Sequence, residues 1–332
     1  MPTNLPPEYF EVEKRYKAAQ SVAEKIACLE ELIGTIPKHK GTDKLRAGFR
    51  RRLSKLKSSV QGKKAASRHA SAYQIDREGA GQVVLVGAAN VGKSALLDVL
   101  TNAAPEVGPA PYTTWQPTPG MMPLENVQIQ LIDTPALNRE YVEPDLLDLT
   151  RRADLILLVV DLQTDPVTQL EDALDLLAEH GIVPHQWQDR YSEEEQGRLF
   201  FVPLLVLANK YDDEDTDENF EIFCELLGAE ADCPLLPVSA TTGRNLEQLK
   251  QAVFDRLEVV RVYSKPPGKE ADFSAPFVLE QGSTVADFAR KVHKDFYENL
   301  KSARVWGSAV YDGQMVGRDH VLQEGDIVEL HI

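Results

Sequence analysis

Val83-Val84-Leu85-Val86-Gly87-Ala88-Ala89-Asn90-Val91-Gly92-Lys93-Ser94 decides the fold of this chain. Four apolar residues read as a buried strand. The next eight match G-x-x-x-x-G-K-[ST], and Ala95-Leu96-Leu97-Asp98-Val99-Leu100 continues as a helix. Strand, glycine loop and helix in that order are the context a phosphate-binding loop requires. Gly87 and Gly92 let backbone N–H groups turn inward around phosphates. Lys93 reaches the β- and γ-phosphates, and the Ser94 hydroxyl ligates Mg²⁺. The helix that opens there adds the positive end of its dipole. Gly87, Asn90, Val91, Gly92, Lys93, Ser94 and Ala95 form the candidate phosphate-binding set. A chance glycine turn would not require Lys-Ser at that offset.

Downstream, strands and helices alternate, which predicts a doubly wound α/β domain over 81–262. Gln128-Ile129-Gln130-Leu131-Ile132 reads as a strand ending in Asp133-Thr134-Pro135-Ala136. Asp154–Asp161 and Pro203–Ala208 read as buried parallel strands, with an amphipathic helix from Val167 to His180 between them. The second delivers Asn209-Lys210-Tyr211-Asp212, and Leu235-Leu236-Pro237-Val238 delivers Ser239-Ala240. Candidate site residues thus fall at the C-terminal ends of strands, where open α/β sheets bind ligands. Past Asp212, the acidic run Asp213-Glu214-Asp215 with Asp217-Glu218 reads as a solvated loop rather than a metal site.

An aspartate at position 212 can accept hydrogen bonds from both N1–H and the 2-amino group of guanine. Adenine would leave that carboxylate unpaired. The Lys210 stem can lie along the base, Asn209 can tie loops together, and Ser239-Ala240 can offer a backbone N–H to guanine O6. GTP or GDP is therefore the expected ligand, with Mg²⁺.

The ends of the chain differ from this middle. Glu8–Leu32 and Thr42–Ser58 have helical apolar spacing and predict an antiparallel helical hairpin within a 1–80 region, with Gln61–Ala80 as linker. Residues 1–80 hold 17 Lys/Arg against 9 Asp/Glu, whereas 81–332 hold 19 against 43, within a net charge of −16. Lys44, Arg46, Arg50, Arg51, Arg52, Lys55 and Lys57 line the second helix, and Asp43 is the only acid between Lys38 and Arg68. Such a stripe suits an RNA phosphate backbone. Packing against the protein's own acidic domain is the alternative. From 263 to 332, short strands around a helix at Thr284–Phe296 predict a compact β-grasp module. Three scattered cysteines argue against zinc and a disulfide framework. No apolar run is long enough to span a bilayer, so a cytoplasmic protein with no membrane partner is expected.

The set GxxNxGKS, TT, DTP, NKxD and SA resembles the Obg branch of translation-factor-class GTPases. Pro111-Tyr112-Thr113-Thr114 is similar to that branch's switch. The resemblance implies a Ras-like P-loop fold, with Mg²⁺ held by Ser94, Thr114 and Asp133. Tyr263-Ser264-Lys265-Pro266, Val305-Trp306-Gly307 and Val316-Gly317-Arg318-Asp319-His320 resemble the TGS domain of the DRG (developmentally regulated GTP-binding) proteins. DRG proteins are ribosome-associated GTPases, which implies that role here and implies that the TGS domain contacts RNA or protein.

The chain departs from that pattern at several places. Ala136 stands where the family has the glycine of DxPG, and Leu137 stands where a water-orienting glutamine would act. Between Gln163 and Phe201 there is no room for the domain that DRG proteins insert. Lys93, Thr114, Asn90 and Ala136 remain the candidate catalytic positions. Relatives with Asn at the position of Asn90 can hold K⁺ beside the phosphates, and bracing the loop is its other role. The expected function is a slow, K⁺-assisted GTPase switching an RNA- or ribosome-binding state. The alternatives are a GTP-dependent binding module without hydrolysis and an interaction scaffold.

Overall fold

The computed structural model describes residues 73–101, 116–137, 142–227, 233–307 and 311–332, together with Val12, Arg15, Cys28, Glu31 and Thr35. The chain divides into two compact units, Met1–Ala72 and Tyr73–Ile332. In the first, Arg15 and Glu31 are both helical and form an ion pair at 2.6 Å. One straight helix would hold residues that far apart in sequence about 24 Å from each other. The two therefore belong to separate helical segments, and the single helix expected over Glu8–Leu32 is corrected. Lys44, Arg46, Arg50, Arg51, Arg52, Lys55 and Lys57 lie outside the described residues, as do Thr113 and Thr114.

The end of the expected linker is packed rather than free. Tyr73 is buried, and its hydroxyl donates to Glu143 at 2.5 Å. Arg77 pairs with Asp154 at 2.8 Å, and Gly79 bridges Ile129. Composition rich in Ser, Ala and Gly hid these anchors, because each is made by one residue.

The larger sheet is built from β1 (Gln82–Val86), β2 (Thr118–Leu124), β3 (Val127–Asp133), β4 (Leu155–Asp161), β7 (Leu204–Asn209) and β8 (Leu235–Pro237). Its order is β2-β3-β1-β4-β7-β8. All neighbours are parallel except β2, which pairs antiparallel with β3 at the edge. Parallel strands buried on both faces read as unbroken apolar runs, and β1, β4 and β7 are buried at every position. On one face Val83, Leu85, Leu157, Val159 and Leu205 pack with helix α1 (Lys93–Leu100) and a later helix, Leu246–Arg256. Their alternate neighbours face the other way. Helices α2 (Pro144–Arg151) and α3 (Pro166–Glu179) complete the first half of the domain.

Between Gly181 and Val202 the chain forms a small parallel pair, β5 (Ile182–Pro184) with β6 (Phe200–Val202), and helix α4 (Glu193–Gln196). The acidic run beyond Asp213 is helix α5 (Glu214–Leu227), not a loop. Asp213 caps it by accepting the Thr216 N–H at 3.1 Å, and acids in the first turn complement the helix dipole. Helix α6 (Leu246–Arg256) closes the domain.

The C-terminal β-grasp domain has its own core of Val262, Phe288, Ala303, Val305, Val328 and Leu330. Strands β9 (Val259–Ser264), β10 (Phe277–Glu280), β11 (Ser302–Trp306), β12 (Gln314–Val316) and β13 (Ile327–His331) are ordered β10-β9-β13-β11-β12, with β9 and β13 parallel. The change of character at 263 falls inside the first of these strands. The single helix expected over Thr284–Phe296 is two, α7 (Val285–Val292) and α8 (Lys294–Asn299). Extended His293 separates them, and its Nδ1 caps the second by accepting the Asp295 N–H.

Candidate nucleotide-binding site

The turn after β1 needs its glycines. Gly87 has φ 148, and a Cβ there would lie 2.4 Å from the Val159 carbonyl oxygen. Gly92 has φ 97, and a Cβ there would lie 2.2 Å from Asn209 Nδ2. Asn90 also sits at positive φ, 62°, a conformation Asn tolerates. Its side chain is exposed and makes no hydrogen bond among the described residues, so the loop-bracing role finds no support. Val91 is buried beside it, and Ala95 lies in the first turn of α1.

Lys93 is 7% exposed, and its Nζ donates to the carbonyls of Gly87 at 3.0 Å and Ala88 at 2.8 Å. Burial pulls its pKa down to about 8, while the Asp133 charge pulls it back up. An anion in the loop would relieve that burial cost, so the cradle suits phosphate. Ser94 Oγ donates to Asp133 Oδ2 at 2.5 Å, which places a hydroxyl and a carboxylate together at the mouth of the loop. Two hard oxygen donors of this kind fit Mg²⁺. Thr134 Oγ1 donates to the Leu85 carbonyl at 2.6 Å, and Leu137 N donates to the Gly87 carbonyl at 3.0 Å. The start of the DTPA segment is thereby fastened to the loop. Ala136 is not at positive φ, so this conformation imposes no left-handed strain on it.

At the other end, Asn209 joins the two halves of the site. Its Nδ2 donates to the Val91 carbonyl at 2.8 Å, and its Oδ1 accepts the Ala240 N–H at 3.3 Å. The N–H expected to face guanine O6 is thus turned onto Asn209 here. Lys210 has φ 65, and its ammonium pairs with Asp161 at 2.5 Å. Asp212 Oδ1 accepts from Ser239 Oγ at 2.5 Å, and Oδ2 accepts from Gln163 Nε2 at 3.2 Å. Thr242 N donates to Ser239 Oγ at 2.9 Å, so the hydroxyl is oriented toward the carboxylate.

The structure therefore brings Gly87, Asn90, Val91, Gly92, Lys93, Ser94, Ala95 and Asp133 together after the C-terminal ends of β1 and β3. Asn209, Lys210, Asp212, Ser239 and Ala240 follow β7 and β8 on the same side of the sheet, and Asn209 touches the first set at Val91. Two participants escaped the sequence reading. Asp161 ends β4, where a buried acid closing the run Leu-Ile-Leu-Leu-Val-Val was the available signal. Gln163 has no such signal. Its backbone N–H caps Asp161 Oδ1 at 2.9 Å, and that turn aims its amide at Asp212.

The 50S ribosome-binding GTPase family matches residues 82–186, and the TGS domain family matches 260–332. An uncharacterized GTP-binding protein of Methanocaldococcus jannaschii is 30% identical, over 94% of this chain and 93% of its own. Developmentally-regulated GTP-binding protein 1 of Xenopus laevis is 26% identical, over 92% and 98%. Ribosome-interacting GTPase 1 of Saccharomyces cerevisiae is 24% identical, over 93% and 99%. Among solved structures, the YchF GTPase of Schizosaccharomyces pombe superimposes with a TM-score of 0.56 at 14% identity. It covers 77% of this chain and 99% of its own, a likeness of fold alone. The chain belongs to the family of GTP-binding proteins that join a GTPase domain to a C-terminal TGS domain, the family of the developmentally-regulated GTP-binding proteins.

Proposed function

We propose that this protein hydrolyses GTP slowly in a Mg²⁺-dependent, K⁺-stimulated reaction, and that GTP and GDP set two states of RNA or ribosome binding. The observation that carries the reading is Asn209, whose side chain spans from the phosphate loop at Val91 to the base-recognition loop at Ala240. One residue thereby links occupancy by phosphates to occupancy by guanine.

Ser94, Asp133 and Thr114 would hold Mg²⁺, which when bound neutralises charge between the β- and γ-phosphates. Lys93 exchanges its loop carbonyls for phosphate oxygens. Asp212, oriented by Ser239 and Gln163, selects guanine. Leu137 cannot orient an attacking water, so turnover is slow. Asn90 is exposed and uncommitted, a fitting donor to a K⁺ ion whose charge replaces an arginine finger.

The basic stripe Lys44–Lys57 supplies sequence-independent phosphate contacts, and a relative is named for interacting with ribosomes. The TGS domain adds a second contact to RNA or protein. No helix among the described residues is long and apolar enough to cross a membrane, and we place the protein in the cytoplasm. Leu137 and Ala136 favour a second reading, a GTP-dependent binding module with little hydrolysis. Ribosome co-sedimentation with GTP, GDP and a non-hydrolysable GTP analogue tests the switch. The analogue-bound form should pellet and the GDP-bound form should stay in solution. Equal pelleting in all three contradicts the switch.

A further inference from the structure

The β2–β3 hairpin connects the nucleotide edge of the sheet to the TGS domain. At its open end Asp133 holds Ser94 of the phosphate loop, and Thr118 stands opposite Asp133. Its closed end is the turn Glu125-Asn126, about 20 Å away at roughly 3.3 Å per residue of strand. Glu125 adopts φ 50 to make that turn.

The TGS domain grips the turn from β9 and the segment after it. Arg261 forms an ion pair with Glu125 and donates to Asn126 Oδ1 at 3.3 Å. Asn126 Nδ2 donates to the Tyr263 hydroxyl at 2.8 Å and to the Phe273 carbonyl at 3.2 Å. From its own side Arg261 is fixed by Glu324, with Nε to Oε1 at 2.6 Å and backbone N to Oε2 at 2.7 Å. Its guanidinium also lies 5.0 Å from the centre of the Phe254 ring on α6. An ion pair and three hydrogen bonds converge on a turn only two residues long, while Phe254 and Glu324 fix Arg261 itself.

The two strands of the hairpin are held unequally. β3 is paired on both sides, to β1 and to β2. β2 is an edge strand paired to β3 alone, and Pro119 and Pro123 remove two of its N–H donors while Gly120 removes a side chain. It is the strand that can shift at least cost. In sequence it also follows directly on the segment carrying Thr113 and Thr114.

We propose that the β2–β3 hairpin is a lever through which the nucleotide state sets the seating of the TGS domain, with Glu125-Asn126 and Arg261-Tyr263 as its latch. This rests on the guanine-nucleotide reading given above. A displacement of β2 at the nucleotide end reaches the latch because a strand is stiff along its length. The latch responds because its ion pair and the hydrogen bonds of Asn126 fit one seating of the TGS domain. Coupling between sites is reciprocal, so whatever loads the TGS domain also changes the preference between GTP and GDP.

The test uses the full chain and a double variant, Glu125→Gly with Asn126→Ala. Glycine suits the positive φ at 125, so the turn survives while both latch side chains are lost. Affinities for GDP and for a non-hydrolysable GTP analogue are measured in each protein. Cutting the latch should shift their ratio by about fivefold or more, the lower end of site-to-site coupling, and a ratio within about twofold of wild type overturns the lever. Arg261→Lys keeps the charge but not the fork, and should shift the ratio less and in the same direction. Amide exchange of 259–264 should differ between the two nucleotides in the wild type and cease to differ in the double variant. A nucleotide-dependent difference that persists there also overturns the lever. A wild type that binds neither nucleotide overturns the guanine-nucleotide reading itself.

Discussion

The side-chain amide of Asn209 occupies the space that a Cβ on residue 92 would need, 2.2 Å from where that carbon would sit. The glycine of the phosphate loop is thus required by the base-recognition strand as well as by φ 97. Gly92→Ala should cost about 1–3 kcal/mol in backbone strain alone and also displace Asn209 from Val91. The expected outcome is a lower melting temperature together with loss of GDP binding, read by calorimetry. A variant that melts and binds like wild type would show that the two loops are not interlocked.

Asp212 should decide the base. Asp212→Asn exchanges an acceptor for a donor and is expected to weaken GDP by about 2–4 kcal/mol. Binding of xanthosine diphosphate, whose C2 carries an oxygen, should improve in the same variant. A competition titration against labelled GDP measures both, and unchanged preference would remove Asp212 from the base site.

Asp326 provides a pH test outside the nucleotide site. It is fully buried against Gly307, where a Cβ would meet its Oδ1 at 1.8 Å, and its Oδ2 accepts the Gln323 N–H at 2.8 Å. Burial raises its pKa, opposed by that N–H and by His320. A raised folded-state pKa means the ionised carboxylate costs stability in full above that pKa. The cost is relieved as pH falls toward the ordinary aspartate range. Asp326→Asn should therefore raise the melting temperature at neutral pH, with an advantage that shrinks in acid. A lower melting temperature at neutral pH would mean the charge is needed.

The N-terminal stripe should bind RNA with a steep salt dependence and little sequence preference. Neutralising Arg50, Arg51 and Arg52 together should flatten log K against log[salt] by roughly two to three units. An unchanged slope would favour packing of the stripe against the acidic body.

What could be read from the residues was whatever is encoded locally. The phosphate loop, β1, β4 and β7 announce themselves because glycines at fixed offsets and unbroken apolar runs are compatible with few alternative structures. β2 did not, since Thr-Pro-Gly-Met-Met-Pro-Leu carries two prolines and a glycine and becomes a strand only by pairing with β3. Helix α5 was hidden by its acids, which gain helix-dipole support from falling in its first turn behind the Asp213 cap. The break at His293 depends on one side chain capping the next helix. Within the site, Asp212 was legible and its supports were not. Gln163 reaches it across 49 positions of sequence, through a turn set by Asp161. The latch between Arg261 and Glu125 is likewise tertiary, joining positions 136 apart.

The most direct test of slow, ion-assisted turnover is steady-state GTP hydrolysis with Mg²⁺, measured in K⁺ and in Na⁺ for wild type and Asn90→Ala. The ion acts mainly in the transition state, so K⁺ should raise kcat with little change in GTP affinity. Asn90→Ala should hydrolyse at the same low rate in both salts. Equal wild-type rates in K⁺ and Na⁺ would contradict the ion mechanism. Absence of hydrolysis in either salt, with ribosomes present, would contradict the enzyme and leave a GTP-dependent binding module.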